Sequence, residues 1–139
     1  MTASTSRSAA AGRKHCEFAE LVRFFTRLSE RLDQLSFPPP VAHVYNPLAY
    51  ARDNFFQYLQ RFGTARGRIV LLGMNPGPWG MVQTGIAFGE VNAVRDWLKL
   101  NGTIMPPAVQ HPQRPIQGLS CPRSEVSGAR LWGFAKERF

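Results

Sequence analysis

The fold of this chain is decided by residues 68–91, which read Arg68-Ile-Val-Leu-Leu-Gly-Met-Asn-Pro-Gly-Pro-Trp-Gly-Met-Val-Gln-Thr-Gly-Ile-Ala-Phe-Gly-Glu-Val91. Within this stretch, Ile69 to Leu72 form an apolar run without polar alternation, which is typical of a parallel strand buried on both faces. The glycines and prolines that begin at Gly73 predict an ordered loop at the carboxyl end of this strand. Because ligands of α/β proteins bind beyond the carboxyl ends of their strands, we expect a binding site in this loop.

The loop has a composition that suits a small planar ligand. Its glycines let the backbone approach a ligand closely, and its two prolines fix φ. These residues are Gly73, Gly77, Gly80, Gly85 and Gly89, with Pro76 and Pro78. Asn75 places an uncharged amide at the mouth of the loop. Taken alone, Asn75-Pro76-Gly77 is a turn, because Asn-Pro initiates turns and glycine follows freely.

The charge of the chain favours a polyanionic partner. Its 139 residues, enough for one domain with a real core, carry 17 Lys and Arg against 9 Asp and Glu, a net charge of +8. Basic side chains neutralise phosphates and release counterions, so nucleic acid is the first candidate. An anionic membrane surface, or a role in solubility alone, would produce the same charge, and charge does not decide between these alternatives.

Several classes of protein are disfavoured by what the sequence lacks. No run of about 18 apolar residues occurs, so we expect neither a transmembrane helix nor a membrane partner. Cys16 and Cys121 lie apart without metal-ligand spacing, which predicts a reduced intracellular protein with no metal and no cofactor. Residues 1–16 lack the apolar segment of a secretory signal. They could pass for an organelle transit peptide, but a disordered tail is the better interpretation.

Apolar residues at helical spacing predict helices around the strand. The predicted helices are Phe18 to Leu35, Leu48 to Phe62, Gly89 to Leu100 and Ala129 to Phe139. Val41 to Tyr45 is predicted to be a short extended segment, and residues 103–123 an ordered but irregular crossing rich in proline. The aromatic residues of the second helix could form a stacking surface for bases, but core packing is the better default.

Local signals predict where two of these helices begin and end. Glu90 and Lys99 lie in the first and last turns of the third helix, in the order that the helix dipole favours, and Asn101-Gly102 supplies its stop. Ser124 to Ser127 offers the cap of the fourth helix. His111 could contact a phosphate or a base, but a histidine in a proline-rich loop is more often simply exposed.

The longer string from Gly73 to Glu90 resembles the first active-site motif of the single-strand-selective monofunctional uracil-DNA glycosylases. Further segments that share the resemblance are Val44 to Pro47, His111-Pro112, Arg114-Pro115 and Cys121 to Phe134. Together they cover nearly all of residues 21–139. The resemblance implies the α/β fold class, in which residues 17–139 form part of a three-layer α/β/α uracil-DNA glycosylase-like domain with a short parallel sheet.

The resemblance also assigns roles to individual loop residues. A glycosylase swings the nucleotide out of the duplex and breaks its glycosidic bond through an oxocarbenium-like state. Asn75 matches the residue that positions the attacking water, and Phe88 matches the aromatic that stacks on the flipped base. Met74 matches the position whose backbone contacts the base, and Gly77 lines the pocket with backbone. Without the family context, Asn75 would be a turn residue, and Met74 and Phe88 core residues.

Two features set this chain apart from the family pattern. Ala87 stands where a proline is common, which loosens the backbone beside the aromatic. The family's remaining site residues lie in its C-terminal half: an Asn that pairs with the uracil edge, and a histidine in a His-Pro-Ser-Pro-type segment. None of His15, His43 and His111 stands in such a context. We therefore expect an N-terminal portion of a glycosylase, with its C-terminal part missing, poorly folded and nearly inactive when expressed alone.

Three functions follow from these observations. The first is a monomeric uracil-DNA glycosylase of base excision repair, acting on uracil and on 5-substituted uracils in single- or double-stranded DNA. It would work in the nucleus of a eukaryote, or in the cytoplasm and nucleoid of a bacterium. The second is a non-catalytic nucleic-acid-binding remnant. The third, an α/β domain whose loop binds another ligand, is disfavoured by the length of the motif.

Trp79 could line the pocket or the wall at the strand exit.

Overall fold

The architecture is described by a computed structural model for residues 3–63 and 71–139, with side chains described from Glu17 onward. The helices are α1 (Ala3–Asp33), α2 (Pro47–Tyr50), α3 (Arg52–Tyr58), α4 (Met81–Thr84) and α5 (Val126–Arg138). Three shorter elements are π-helical turns over Leu59–Gly63 and Ala93–Trp97 and a 3-10 turn over Gly118–Ser120. Apart from this last turn, the crossing over residues 103–123 is irregular, as predicted.

The predicted parallel sheet is not confirmed, because no residue in the part of the chain that the structure describes lies in a strand. Ile69 and Val70 of the predicted strand lie outside the described residues. Leu71 and Leu72 are irregular, with 57% and 92% of their surface exposed, so the prediction that they are buried is wrong. A parallel strand is buried only when strands pair with it and helices cover both faces, and residues 3–63 and 71–139 supply no such neighbours.

The first helix is longer than predicted. α1 begins at Ala3 rather than at Phe18, and it ends at Asp33, short of Leu35. No proline interrupts this stretch, and its alanines are strong helix formers, so the helix extends beyond its amphipathic part. The predicted start at Phe18 is therefore wrong. The division of the chain into a tail over residues 1–16 and a domain over residues 17–139 stays a prediction.

The second predicted helix is confirmed, but it is divided into α2 and α3 at Ala51. Asn46 caps α2, since its Oδ1 accepts the N–H of Leu48 at 3.2 Å. Its Nδ2 donates to Asp33 Oδ1 at 2.8 Å, so the same side chain ties α2 to α1. Pro47 suits the first helical position because a backbone N–H would be unpaired there. Val41 to Tyr45, just before this cap, forms no strand.

The main hydrophobic core joins α1 and α3 to the segment that follows the glycine loop. Its buried members are Leu48, Phe55, Leu59, Ile86, Val94, Leu98 and Leu100. The apolar face of α1 packs against them through Phe18, Leu21, Phe25 and Leu28. Phe25 and Phe55 meet edge to face with ring centroids 4.8 Å apart, a favoured geometry. Phe56 and Tyr58 also pack on this core, which confirms the core-packing interpretation of these aromatics.

The third predicted helix is shorter than expected. Its helical part ends before Lys99, which has a left-handed φ of 55°. Glu90 caps its start, because its carboxylate accepts a backbone N–H of the first turn at 2.8 Å. Gly102, predicted to be part of the helix stop, lies against the backbone of another segment. A Cβ at Gly102 would lie 2.4 Å from the backbone nitrogen of Asn54, so this glycine lets two segments of backbone meet.

The fourth predicted helix is α5, which begins before the predicted Ala129. Its cap is Glu125 rather than a serine. Glu125 Oε1 accepts the N–H of Ser127 at 2.9 Å, and Oε2 accepts the N–H of Gly128 at 2.5 Å. A carboxylate at a helix N-terminus is favoured because it meets the positive end of the helix dipole. The predicted capping segment is therefore right, and the capping residue is a neighbour of the serines.

Candidate functional site

The four residues predicted to form the site line one open cavity of about 290 Å³. They are Met74, Asn75, Gly77 and Phe88. The other lining residues are Leu71, Leu72, Gly73, Pro76, Met81, Ala87, Glu125 and Ser127. Small-molecule sites commonly have volumes of about 300–1,000 Å³, so this cavity lies just below the lower end of that range. The structure therefore brings the predicted residues together around a space suited to a small ligand.

Phe88 forms one wall of this cavity and has a strained backbone. Its φ of 54° lies in the left-handed region, which bulky residues rarely adopt. Two donors hold it there, since its carbonyl accepts Trp132 Nε1–H at 2.8 Å and the N–H of Glu90 at 2.8 Å. A Cβ at Gly73 would lie 3.3 Å from Phe88 Cζ, so the ring is set against backbone. The surrounding contacts therefore fix a half-buried aromatic ring at the cavity.

Met74 and Asn75 form the exposed lip of the cavity. Met74 has a relative exposure of 101%, so the alternative interpretation of Met74 as a core residue is wrong. Asn75 is exposed as well. Among the described residues, the one hydrogen bond of its side chain runs from Nδ2 to the Pro76 carbonyl at 3.5 Å, too long to hold the amide firmly. The Asn75 amide is therefore available to a ligand or a water.

Gln83 anchors the loop, although sequence analysis did not single it out. It is fully buried. Its Nε2 donates to the carbonyls of Pro78 at 2.9 Å and Pro115 at 3.0 Å. Its Oε1 accepts the N–H of Gln117 at 2.8 Å and the N–H of Gly118 at 3.2 Å. Its amide oxygen and nitrogen are therefore paired, and the loop is joined to a segment some thirty residues away, which no local pattern could indicate.

Thr84 and Asn54, both fully buried, make a second anchor. Asn54 Nδ2 donates to the Thr84 carbonyl at 2.7 Å, and its Oδ1 accepts the N–H of Gly102 at 3.0 Å. The Thr84 hydroxyl donates to the Gly89 carbonyl at 3.0 Å and accepts the N–H of Ile86 at 3.2 Å. A polar residue beside the aromatic core face of a helix is the one sequence signal that could have indicated Asn54.

Glu125 is the one ionisable side chain among the described residues that line the cavity. Its Cγ packs against the loop, because a Cβ at Gly77 or Gly80 would come within 3.3 Å or 2.9 Å of it. Its carboxylate is bonded to the first turn of α5, so the helix N-terminus stabilises the negative charge. The absence of side chains at the two glycines therefore allows α5 to close one side of the cavity.

Two aromatic residues singled out by the sequence lie elsewhere. Trp79 is not among the described residues that line the cavity. Its ring instead makes a cation–π contact with the guanidinium of Arg123, whose Cζ lies 4.3 Å from the ring centroid. His111 is half-buried rather than simply exposed, and it packs against His43 with ring centroids 5.1 Å apart. The His111 ring also accepts a hydrogen bond from the N–H of Gln113 at 3.1 Å.

Two features are absent from the part of the chain that the structure describes. Within residues 3–63 and 71–139, no three His, Cys, Asp or Glu side chains lie together as ligands of a metal ion would. No helix in this part of the chain combines the length and apolar character that crossing a membrane requires.

The sequence of the chain is similar to proteins of one class. No family model matches the chain. Over 108 residues, 78% of the chain, it is 54% identical to the single-strand-selective monofunctional uracil-DNA glycosylase of Rattus norvegicus and to that of Mus musculus. It is 53% identical to the Bos taurus protein of the same name. The matched residues are therefore similar to uracil-DNA glycosylase sequence.

The matched residues correspond to the N-terminal portion of these single-strand-selective monofunctional relatives. The chain spans about two fifths of their length, 39% of the rat and mouse proteins and 40% of the bovine protein. The family recognised from the loop motif is thereby confirmed. The family implies an α/β fold, although the described residues contain no strand.

Proposed function

We propose that this chain forms the N-terminal part of the base-binding site of a uracil-DNA glycosylase, which hydrolyses the N-glycosidic bond of a uracil flipped out of DNA in base excision repair. The observation that carries the proposal is the convergence of Met74, Asn75, Gly77 and Phe88 on one open cavity. The names of the relatives, which specify a uracil-DNA glycosylase, support the choice of substrate.

A flipped pyrimidine suits this cavity in size and shape. A volume of about 290 Å³ equals roughly ten waters of about 30 Å³ each, and a pyrimidine has fewer heavy atoms than that. The ring of Phe88 offers a face on which the base stacks, a contact worth about 1–3 kcal/mol per base. Gly77 and the backbone of Met74 let main-chain polar groups approach the edge of the base.

Asn75 is proposed to orient the attacking water. The base leaves as an anion with the electron pair of the glycosidic bond, and the water oxygen adds to the anomeric carbon of the sugar. The proton that this water loses passes through solvent to the departed base. A neutral amide does not take that proton in the usual sense, but its oxygen accepts a hydrogen bond from the water and fixes its position. The long hydrogen bond at 3.5 Å leaves the Asn75 amide available for this role.

Further groups are required for hydrolysis. Among the described residues that line the cavity, there is no histidine and no second asparagine. The family resemblance assigns recognition of the uracil edge to an Asn and support of the leaving anion to a His. We infer that the 139 residues alone are nearly inactive, and that sequence equivalent to the rest of the relatives supplies these groups. Poor folding of the isolated chain stays a prediction.

The proposed substrate is uracil, with 5-substituted uracils as further substrates, in single- or double-stranded DNA. The protein would act as a monomer inside the cell, where its substrate is. The net charge of +8 supports DNA as the partner, because each phosphate that a basic side chain neutralises releases counterions.

A chimera of residues 1–139 with the C-terminal portion of the rat relative tests the proposal. We expect it to release uracil from a single-stranded oligonucleotide, and Asn75→Ala to slow release about a hundredfold or more, since a positioned reactant is lost. Asn101→Ala is the matched control, because Asn101 is exposed and lies outside the cavity. An unchanged rate in Asn75→Ala would remove the role assigned to Asn75. A folded chimera that releases no uracil would overturn the function.

A second candidate function, nucleic-acid binding without catalysis, is favoured by the basic charge alone. Arg23, Arg27 and Arg31 are exposed along α1 at four-residue spacing. Binding of the 139-residue chain to single-stranded DNA, measured against salt concentration, distinguishes it from a protein-interaction fragment. Phosphate neutralisation predicts a linear fall of log affinity with log salt, whereas a flat response would contradict nucleic-acid binding.

A further inference from the structure

A cation beside the cavity is left unused by the proposed chemistry. The Arg123 guanidinium lies over the Trp79 ring, with Cζ 4.3 Å from the centroid, and the Arg123 side chain is exposed. It forms no ion pair with a carboxylate of the described residues. A guanidinium that stacks through its face keeps the N–H groups of its edge free, and their fork geometry matches phosphate oxygens.

The position of this cation follows from the packing of the loop. Trp79 lies between Gly77 and Gly80, the two glycines against which Glu125 packs. Arg123 precedes Glu125 by two residues, and Trp79 follows Gly77 by two residues. Glu125 and Gly77 both line the cavity, as does the exposed Ser127. A nucleotide whose base fills the cavity must leave its sugar and phosphates outside the mouth.

We propose that Arg123, oriented by Trp79, binds a backbone phosphate of the DNA strand next to the flipped nucleotide. This proposal rests on the proposed function for the nucleotide and adds a phosphate contact outside the base pocket. The Glu125 carboxylate is bonded to two N–H groups of α5, and it forms no ion pair with Arg123. Stacking on Trp79 restricts the Arg123 side chain beforehand, so less conformational entropy is lost when the phosphate binds.

Binding of the 139-residue chain to a fluorescein-labelled single strand without uracil, measured by anisotropy from 50 to 200 mM salt, tests this contact. We expect Arg123→Gln to reduce the slope of log affinity against log salt by about 0.7, the value for one phosphate on a single strand. The same loss makes binding about fivefold weaker at 0.1 M salt. Arg123→Lys, which keeps the charge, should restore the slope. Arg138→Gln, exposed about 17 Å further along α5 than Ser127, is the control and should keep it.

Two results would overturn the phosphate contact: a slope for Arg123→Gln equal to that of the unchanged chain, or an equal loss in Arg138→Gln. If Arg123→Gln fails to fold, as judged by circular dichroism, Ser127→Asp replaces it. A negative charge at the mouth should weaken binding and reduce the slope, and unchanged binding would overturn the contact.

Kinetics of the chimera show whether Arg123 binds a phosphate or only supports the fold. They also distinguish failure of this contact from failure of the proposed function. Because a phosphate is bound equally in the ground and transition states, Arg123→Gln should raise KM about fivefold and leave kcat unchanged. A lowered kcat with unchanged KM would contradict it. If the slope changes but the chimera releases no uracil, the phosphate contact stands and the proposed function fails. If the chimera releases uracil, Asn75→Ala abolishes that release, and Arg123→Gln keeps the slope, the proposed function stands and the phosphate contact fails.

Discussion

Two halves of the glycine loop differ in how they are held. In the anchored half, residues 80–89, buried side chains such as Gln83 have no exposed surface. In the exposed half, residues 71–75, Leu72 is 92% exposed and Met74 is 101% exposed. The anchored half thus depends on contacts that the described chain makes with itself. The exposed half carries an apolar run whose burial needs contacts that residues 3–63 and 71–139 do not provide.

Removing the main anchor should have the largest effect. Gln83→Ala takes away four hydrogen bonds and leaves their buried partners unpaired, so we expect it to lower the free energy of unfolding by about 3 kcal/mol or more. Urea unfolding of the chimera with the rat relative, followed by tryptophan fluorescence, measures this change, because the isolated chain is predicted to fold poorly. Gln113→Ala is the control, because Gln113 is exposed, and it should stay within about 0.5 kcal/mol. Equal effects of the two substitutions would show that the amide does not anchor the loop.

Alkaline pH should release the anchored half at a second point. The Tyr50 hydroxyl donates to the Val82 carbonyl at 2.5 Å, and burial, with a smaller contribution from Tyr45, raises the pKa of Tyr50. Since the folded pKa is raised, its contribution to stability is complete below the unfolded pKa of about 10 and is lost as pH rises above it. We expect the free energy of unfolding, measured by urea unfolding, to fall as pH rises from 10 to 11.

Tyr50→Phe is the matched control for this pH dependence, because it removes the ionisable hydroxyl and keeps the ring. The variant should be less stable near neutral pH, since the Val82 carbonyl loses its donor, and its stability should fall less between pH 9 and 11. A fall as steep as that of the unchanged chain would assign the pH dependence to other groups.

Loosening Phe88 should have a smaller effect. Trp132→Phe removes the hydrogen bond from Nε1 to the Phe88 carbonyl, at 2.8 Å, and should cost about 1 kcal/mol in urea unfolding. Trp97→Phe is the control, because the Trp97 ring packs against that of Trp132 with centroids 5.6 Å apart, and it leaves the bond to Phe88 in place. If both variants lose the same stability, ring packing rather than the hydrogen bond accounts for the loss.

A change in the exposed half should have the smallest effect. Leu72→Ser in the 139-residue chain should alter the free energy of unfolding by less than about 0.5 kcal/mol, because the side chain is 92% exposed. In the chimera with the rat relative the loss should be larger, since the added portion is expected to cover this apolar run. A large loss in the short chain would show that the two halves are held alike.

The sequence predicts local features of this protein well and distant contacts poorly. The apolar face of α1, from Phe18 to Leu28, follows helical periodicity and packs as expected. The site residues converge because the glycine-rich loop brings Met74 and Phe88, which are 14 residues apart in the sequence, to one cavity. The family resemblance singled them out, which periodicity alone would not have done.

The features that sequence analysis missed depend on partners far along the chain. Gln83 is buried because it meets residues 115–118, and Glu125 becomes a cavity wall because two glycines admit it. The predicted strand at Leu71 and Leu72 fails for a related reason. An apolar run indicates that a segment is buried in the folded protein, but it does not indicate which other segment covers it.

The contact of Gly77 and Gly80 with Glu125 has a consequence for substrate range. The loop can approach α5 this closely because Gly77 and Gly80 have no Cβ. An alanine at Gly80 would place a methyl group 2.9 Å from Glu125 Cγ. The Glu125 carboxylate is bonded to the first turn of α5, so such a methyl group would push the whole helix start outward. The width of the cavity mouth thus depends on two residues of the loop, and under the proposed function a methyl group at Gly80 would admit a bulkier base.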